Sequence, residues 1–196
     1  MANPKFLIAS NNQHKIEEFK KIFDVLGFDL VTPKDMNISC DPEENGTTFE
    51  ENSLIKAREF FKLSGIPTVA DDSGLCVDAL QGEPGIYSAR YGGCITDEDR
   101  LYFLLSNMKD KTDKKAHFAC AIACVLSENQ EFTVRGNVYG KIIDGPKGEC
   151  GFGYDPIFVP DGYDQTFAQM PSQQKNKISH RANALCAFAE KLKEIY

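Results

Sequence analysis

The chain has 196 residues, of which 42% are hydrophobic and 26% are charged. This length fits one ordinary domain, or a compact domain with a small lobe, and the composition excludes disordered, collagen-like and coiled-coil proteins. No apolar run approaches the roughly 20 residues of a membrane-spanning helix. The net charge of −7 argues against a broad basic surface for nucleic acid, although it allows a local basic pocket for a small anion.

The first half of the chain alternates strand and helix patterns, as α/β proteins do. In order we predict a strand over 5–9, a polar turn over 10–14, a helix ending at Gly27, a strand over 28–31, a loop over 33–46 and a helix ending near Gly65. Thr48 and Glu51 have capping-box spacing, which marks the start of that last helix. The apolar stretch near the N-terminus is too short for a signal-peptide core, so we expect a cytoplasmic protein.

The second half of the chain combines short elements with a long hairpin. We predict a strand over 68–70, a turn over 71–74, extended chain over 75–79, an irregular segment over 82–93, a helix capped by Thr96, β-like runs over 117–126 and 131–143, a loop over 145–160 and a final helix from about Ser179. The expected architecture is an α/β fold with a mixed sheet flanked by helices. The hairpin would extend the sheet into a second lobe, with a cleft between the lobes.

The seven cysteines include no C-x-x-C pair, so neither a zinc ribbon nor a redox dithiol is expected. Cys120 and Cys124 lie in the apolar run FACAIACVL. In a reducing compartment, free thiols in such a run act as small hydrophobic residues.

The turn after the first strand has the composition of an anion site. It contains Ser10, Asn11 and Asn12, with Lys15 following in the first helical turn. Backbone N–H groups at a helix start, the helix dipole and a lysine all favour a negatively charged ligand. The alternative is an ordinary N-cap with a solvated lysine.

Adjacent carboxylates at Asp71 and Asp72 follow the short apolar strand, and open α/β sheets bind ligands at such strand ends. Two neighbouring acids bind Mg²⁺, or one of them becomes a base with a raised pKa. The alternative is a polar turn before a glycine. Glu44 and Lys56 are further candidates, with a solvated acid and a surface lysine as their ordinary interpretations.

Two segments of the second half suggest ligand contacts, the first to a flat ring and the second to an anion or an electron-rich group. In GFGYDP at 151–156 the glycines allow close backbone approach, Phe152 or Tyr154 has a ring for stacking, and Asp155 has acceptor oxygens. Lys175, His180 and Arg181 lie near the start of the final helix, where cations are unfavourable unless a ligand pairs them. The alternatives are a tight core turn and a capped loop.

The chain resembles the inosine triphosphate pyrophosphatase family, also called the Ham1-like family, through seven segments in the same order. They are SNNQHKIEEF at 10–19, NGTTFEENSLIKA at 45–57, ADDSGLCVDAL at 70–80, GEPGIYSARYGG at 82–93, GNVYGKI at 136–142, GFGYDPIF at 151–158 and KNKISHRANAL at 175–185. The third and fourth of these segments, at 70–80 and 82–93, resemble the bacterial branch of the family. The resemblance extends over nearly the whole chain, which we therefore expect to act as one domain over 1–196.

The resemblance implies a role for each matching residue. The turn that holds the triphosphate corresponds to Ser10, Asn11, Asn12, Gln13, His14 and Lys15. Lys56 and Lys175 match phosphate contacts, Glu44 and Asp72 match the Mg²⁺ ligands, and Asp72 also matches the proton acceptor. The remaining substrate contacts correspond to Ser73, Phe152, Gly153, Tyr154, Asp155, His180 and Arg181. Whether Asp71 or Asp72 takes the proton remains open.

The implied activity is Mg²⁺-dependent hydrolysis of ITP, dITP and XTP to the monophosphate and pyrophosphate, which removes these nucleotides from the pool. The implied fold is an elongated mixed sheet with a nucleotide cleft between two lobes, and family members are usually homodimers. A hydrolase of other phosphate esters and a non-catalytic nucleotide sensor remain alternatives. A single-stranded nucleic-acid module is disfavoured by the net charge of −7.

Overall fold

The computed structural model describes residues 3–196. Its strands are β1 (Lys5–Ile8), β2 (Asp29–Val31), β3 (Thr68–Val77), β4 (Lys115–Ser127), β5 (Gln130–Ile142) and β6 (Phe158–Pro160). Its α-helices are α1 (Gln13–Leu26), α2 (Phe49–Ser64), α3 (Asp97–Asn107), α4 (Ser172–Ile178) and α5 (His180–Ile195). Within the described residues, no helix is both long enough and apolar enough to cross a membrane.

The six strands form one mixed sheet in the order β2-β1-β3-β4-β5-β6. β1 pairs in parallel with β2 and with β3, where Leu7 lies opposite Thr68. β5 pairs antiparallel with β6, with Gly140 opposite Pro160. A mixed sheet flanked by helices confirms the fold class predicted from the sequence.

The chain divides into two compact units. The first contains residues 3–72, Ala121–Arg135 and Ala184–Tyr196. Its core includes Leu7, Ala70 and Val125, and its packed rings include Phe23 and Phe188, with centroids 5.7 Å apart.

The second unit contains Ser73–Cys120 and Gly136–Asn183. Phe118, Phe158 and Phe167 lie at the centre of its core.

The buried cysteines behave as hydrophobic residues, as predicted. Cys120 and Cys124 are fully buried in β4. Burial raises the pKa of the Cys124 thiol to about 12, so this thiol stays protonated at neutral pH. All seven cysteines are free thiols.

Capping groups determine where the first two helices begin. The Asn12 side chain accepts hydrogen bonds from the backbone N–H groups of His14 and Lys15, and α1 therefore begins at Gln13. The Thr48 hydroxyl accepts from the backbone N–H of Glu51, as the capping-box pattern predicts. The Glu51 carboxylate, however, accepts from the Thr47 backbone N–H and hydroxyl, so the reciprocal half of the predicted box lies one residue earlier.

The turn predicted over 71–74 is wrong, because β3 continues without interruption from Thr68 to Val77. Asp71 and Asp72 therefore lie inside a buried strand and not at its end. Lysines on α1 and α2 pair with the two carboxylates, and the Leu75 backbone N–H donates to the Ser88 hydroxyl. Because these polar groups have protein partners, the strand has no need to turn towards solvent.

Three elements in the last quarter of the chain were absent from the sequence prediction. The loop predicted over 145–160 contains a short 3₁₀ turn, Asp155–Ile157, followed by β6. Lys175 lies on a separate short helix, α4, and α5 begins one residue after Ser179, whose hydroxyl accepts from the Ala182 N–H. The predicted final helix is therefore confirmed, but Lys175 is not part of its approach loop.

Candidate functional site

The first unit contains a group of charged residues that we call the carboxylate–lysine cluster. β3 contributes Asp71 and Asp72 through successive positions, which point to opposite faces of a strand. The cluster comprises Lys15 on α1, Glu44 in the loop before α2, Asn52 and Lys56 on α2, and Asp71 and Asp72 on β3. All of these residues except Asn52 are candidate site residues predicted from the sequence.

Lys56 lies between two carboxylates. Its Nζ is 3.0 Å from Oε1 of Glu44 and 3.7 Å from Oδ1 of Asp72. Its side chain is only 13% exposed, which contradicts the interpretation as a surface lysine. Lys56 therefore forms ion pairs with both the loop before α2 and the middle of β3.

The cluster carries one more negative than positive charge, since three carboxylates face two lysines. Burial raises the pKa of Asp72 above its ordinary value, and the attraction of Lys56 offsets only part of that rise. Burial lowers the pKa of Lys56, but the combined attraction of Asp72, Asp71 and Glu44 outweighs burial and raises it above the ordinary value. A raised pKa means that a group binds its proton more readily. The raised pKa values of Asp72 and Lys56 therefore mean that the cluster favours uptake of positive charge.

Asp71 and Asp72 have different surroundings. Oδ2 of Asp71 lies 3.0 Å from Nζ of Lys15, and the Asp71 side chain is 1% exposed. Asp72 instead contacts Lys56 and accepts a hydrogen bond from Nδ2 of Asn52 at 3.2 Å. Of the two acids, Asp72 is therefore the one that contacts Lys56, the lysine that also contacts Glu44.

The polar turn at 10–15 uses several of its groups internally. The Ser10 hydroxyl accepts from the Asn12 N–H, and the Asn12 side chain caps α1. Asn11, Asn12, Gln13 and His14 are exposed, whereas Lys15 is half-buried against Asp71. The ordinary N-cap interpretation therefore describes the turn itself, while the solvated-lysine interpretation of Lys15 is wrong.

The cluster has the donor chemistry that Mg²⁺ prefers. Glu44 and Asp72 supply hard carboxylate oxygens beside the same lysine, and Mg²⁺ is usually held by one or two carboxylates together with substrate phosphates. Within residues 3–196, no group of three or more His, Cys, Asp and Glu side chains is arranged to hold a metal by itself. The residues therefore fit a metal that phosphates help to bind.

The second unit contains what we call the aromatic–basic cluster: Ser73, Phe152, Asp155, Lys175, His180 and Arg181. Phe152 is 43% exposed, whereas Tyr154 is 4% exposed and donates its hydroxyl to the Ser88 carbonyl at 3.0 Å. Of the two rings proposed for stacking, only that of Phe152 is accessible.

Asp155 holds the segment around Phe152 in place. Its Oδ2 accepts from the Phe152 backbone N–H at 2.9 Å and from Nζ of Lys175 at 2.5 Å. Burial raises the pKa of Asp155, and Lys175 and the Phe152 N–H offset part of that rise. Gly151 has a φ of +80°, and a Cβ there would collide with the Asp155 carboxylate, so glycine is required.

Lys175 lies with the predicted base-binding residues. Besides its bond to Asp155, its Nζ is 4.9 Å from the centre of the Phe152 ring, a cation–π distance. Lys175 and Lys56 belong to different units. The phosphate contact predicted for Lys175 stays a prediction.

His180 and Arg181 are buried at the start of α5, with 6% and 3% of their surfaces exposed. The His180 ring stacks on Phe118, with centroids 4.9 Å apart and planes inclined by 13°. A guanidinium nitrogen of Arg181 donates to the Ser73 hydroxyl at 3.3 Å. Protein contacts therefore account for part of the placement of these two side chains.

A pocket of about 360 Å³ in the same unit is lined by Phe152 and Gly153 together with three acids, Asp97, Glu98 and Glu149. Its carboxylates would repel a triphosphate. The Gly153 N–H donates to Asp97 at 3.0 Å.

Comparison with known proteins identifies the relationship. The model of the Ham1 family matches residues 6–191. This chain belongs to the Ham1 family. Among its Ham1 relatives, the dITP/XTP pyrophosphatase of Leptospira interrogans is 46% identical over 189 residues, with 95% of each chain covered. That of Bacillus subtilis is 43% identical, with 91% of this chain and 92% of the relative covered.

A solved Ham1 structure has the same fold. The Staphylococcus aureus Ham1 protein is 42% identical, with a TM-score of 0.91, and the match covers 98% of this chain and 100% of that one. The family resemblance inferred from the seven sequence segments is confirmed.

Proposed function

We propose that this Ham1-family protein is a nucleoside triphosphate pyrophosphatase that hydrolyses dITP, ITP and XTP to the monophosphate and pyrophosphate. It thereby removes non-standard purine nucleotides from the pool. Relatives named dITP/XTP pyrophosphatases match nearly the full length of the chain at 43–46% identity. The structural observation that carries the proposal is the placement of Lys56 between Glu44 and Asp72.

The phosphate end of the substrate would bind at the carboxylate–lysine cluster. Lys15 and Lys56 supply positive charge for the phosphates, and the turn from Ser10 to Lys15 supplies further polar groups. Hydrolysis breaks the anhydride bond between the α- and β-phosphates, and such reactions depend mainly on positioning and charge neutralisation.

Glu44 and Asp72 would hold Mg²⁺, which neutralises charge on the phosphates and favours their attack by water. We assign the proton acceptor to Asp72, because Asp72 lies with Glu44 beside Lys56, whereas Asp71 pairs with Lys15. Asp71, paired with Lys15, has a supporting position.

The purine would bind at the aromatic–basic cluster, where the exposed Phe152 ring stacks on the base. Ser73, Lys175, His180 and Arg181 would supply donors for the purine 6-oxygen. We place Lys175 at the purine end, because it contacts Phe152 and Asp155. Gly153, Tyr154 and Asp155 shape the segment that carries Phe152.

We further propose that the chain acts as a single domain over 1–196, as a homodimer in the cytoplasm, with no nucleic-acid or membrane partner. A match that covers 95% of both this chain and the Leptospira interrogans relative supports one functional domain. Light scattering on the purified protein should give twice the mass of one chain.

A turnover panel tests the proposed activity. The protein is incubated with dITP, XTP, ITP, dATP and dGTP with and without Mg²⁺, and pyrophosphate and orthophosphate are measured separately. We expect pyrophosphate from the first three nucleotides in the presence of Mg²⁺ only. Orthophosphate as the initial product would indicate a different phosphate-ester hydrolase, and binding without turnover would indicate a nucleotide sensor.

A further inference from the structure

Asn52 is a polar residue on the buried face of α2. It lies among Phe49, Ser53 and Ala57, and it is 0% exposed. Burying a carboxamide without hydrogen bonds costs free energy, and a hydrophobic side chain would fill such a position without that cost. The contacts of Asn52 must therefore account for its place in the helix.

The Asn52 carboxamide joins two separate segments of the carboxylate–lysine cluster. Its Nδ2 donates to Oδ2 of Asp72 at 3.2 Å, and its Oδ1 accepts from the Gly46 backbone N–H at 2.9 Å. A backbone N–H only donates and an ionised carboxylate only accepts, so a single orientation of the amide satisfies both partners. An aspartate or leucine at this position could not make both bonds.

The loop that carries Glu44 is fitted closely to this amide. A Cβ on residue 46 would lie 2.7 Å from Oδ1 of Asn52, so only glycine allows the approach. The next residue, Thr47, donates its backbone N–H and hydroxyl to Oε2 of Glu51 at 2.6 and 2.8 Å. Two consecutive residues that follow Glu44 closely are thus anchored to side chains on the first turns of α2.

We infer that Asn52 is a positioning residue that fixes Glu44 and Asp72 relative to each other by holding Gly46 and Asp72 on one carboxamide. The reason for positioning Glu44 and Asp72 rests on the proposed function. The anchoring by Asn52 is a property of the chain and does not depend on that function. Asn52 donates a hydrogen bond to Oδ2 of Asp72, and the other oxygen of that carboxylate, Oδ1 of Asp72, is the one near Lys56. Without Asn52 the Glu44 loop loses one of its anchors to α2.

Two variants distinguish the two hydrogen bonds on which this role depends. Asn52→Leu keeps the number and branching of the side-chain heavy atoms and removes both bonds. Asn52→Asp keeps an acceptor for the Gly46 N–H but places a carboxylate against Asp72. Ser53→Ala is the matched control, because Ser53 is equally buried on the same helix and its hydroxyl donates to the Glu50 carbonyl of that helix.

The first measurement is hydrogen exchange of the Gly46 amide by NMR, on the intact protein without nucleotide. We expect exchange at least about tenfold faster in Asn52→Leu, and near the wild-type rate in Asn52→Asp and Ser53→Ala. An unchanged Gly46 rate in a folded Asn52→Leu protein would overturn the inference. If Asn52→Leu does not fold, fast Gly46 exchange in Asn52→Asp overturns it.

The second measurement is the Mg²⁺ dependence of pyrophosphate release. We expect the Mg²⁺ concentration for half-maximal rate to rise at least about tenfold in Asn52→Leu, with kcat also lower, while KM for dITP at saturating Mg²⁺ changes less than about threefold. The same changes in Ser53→Ala would mean a general weakening of α2 and would refute a positioning role. Failure of the wild type to release pyrophosphate would refute the proposed function and leave the exchange test standing.

Discussion

Replacing Asp72 with asparagine should abolish most activity without destabilising the fold. Coulomb's law with an effective dielectric constant of about 20 gives about 4.5 kcal/mol for unit charges 3.7 Å apart, the Lys56–Asp72 separation. The pKa of Asp72 is nevertheless raised, so burial and the repulsion of Glu44 together outweigh this attraction. Lys56 keeps Glu44 at 3.0 Å as a partner, and no charge is left unpaired.

We therefore expect Asp72→Asn to change the free energy of unfolding at neutral pH by no more than about 1 kcal/mol, or to increase it. Turnover of dITP should fall at least about 10²-fold, equivalent to about 2.7 kcal/mol in the barrier, which is the range for losing a positioned base or a metal ligand. Urea denaturation and the rate of pyrophosphate release are measured on the same preparation.

The pH dependence of stability supplies an independent check. In the unfolded chain Asp72 ionises near its ordinary pKa of 3.8, and in the folded protein it ionises at a higher pKa. As pH rises through this interval, the unfolded state releases the proton first, so the wild type loses stability relative to Asp72→Asn. Without added metal, the stability of the variant minus that of the wild type should increase with pH and then level off.

Two results would refute this reasoning. Near-normal turnover in the folded variant would remove Asp72 from the mechanism. A loss of more than about 2 kcal/mol of stability at neutral pH, with the difference decreasing as pH rises, would mean that the Asp72 charge mainly stabilises the fold.

Three further predictions concern the two clusters and the packing of α5. Lys56→Ala should lower kcat/KM for dITP and dATP by similar factors, whereas Lys175→Ala should lower the dITP-to-dATP ratio by more than about tenfold, since Lys175 contacts Phe152 and would donate to the purine 6-oxygen; an unchanged ratio would indicate that Lys175 contacts the phosphates instead. Arg181→Ala should reduce the ratio of ITP to ATP turnover, because a donor to the 6-oxygen is lost, and an unchanged ratio would contradict that assignment. Phe188→Ala should cost about 3–5 kcal/mol in urea denaturation, since Phe188 is fully buried against Phe23 and Phe132; a loss below about 1 kcal/mol would contradict this packing.

Local sequence signals were sufficient for most of the fold. Apolar spacing, the cap residues Thr48 and Thr96, and Gly27 predicted the helices α1, α2 and α3, and two long β-like runs predicted the hairpin. These signals depend on interactions within a few residues, so they can be read without the tertiary structure. The family resemblance also pointed to Glu44, Lys56 and Asp72 as site candidates, and the structure brings these three residues together in one unit.

Partners distant in sequence decided the rest. Asp71, Asp72 and Gly74 have the composition of a turn, yet they continue a buried strand because Lys15 and Lys56 neutralise the carboxylates. Tyr154 and Phe152 are equivalent candidates for stacking in the sequence, and only burial distinguishes them. Asn52 was missed because its two partners lie six residues before it and twenty residues after it. A polar residue on the apolar stripe of a helix was the signal, but its meaning depended on which groups the folded chain placed beside it.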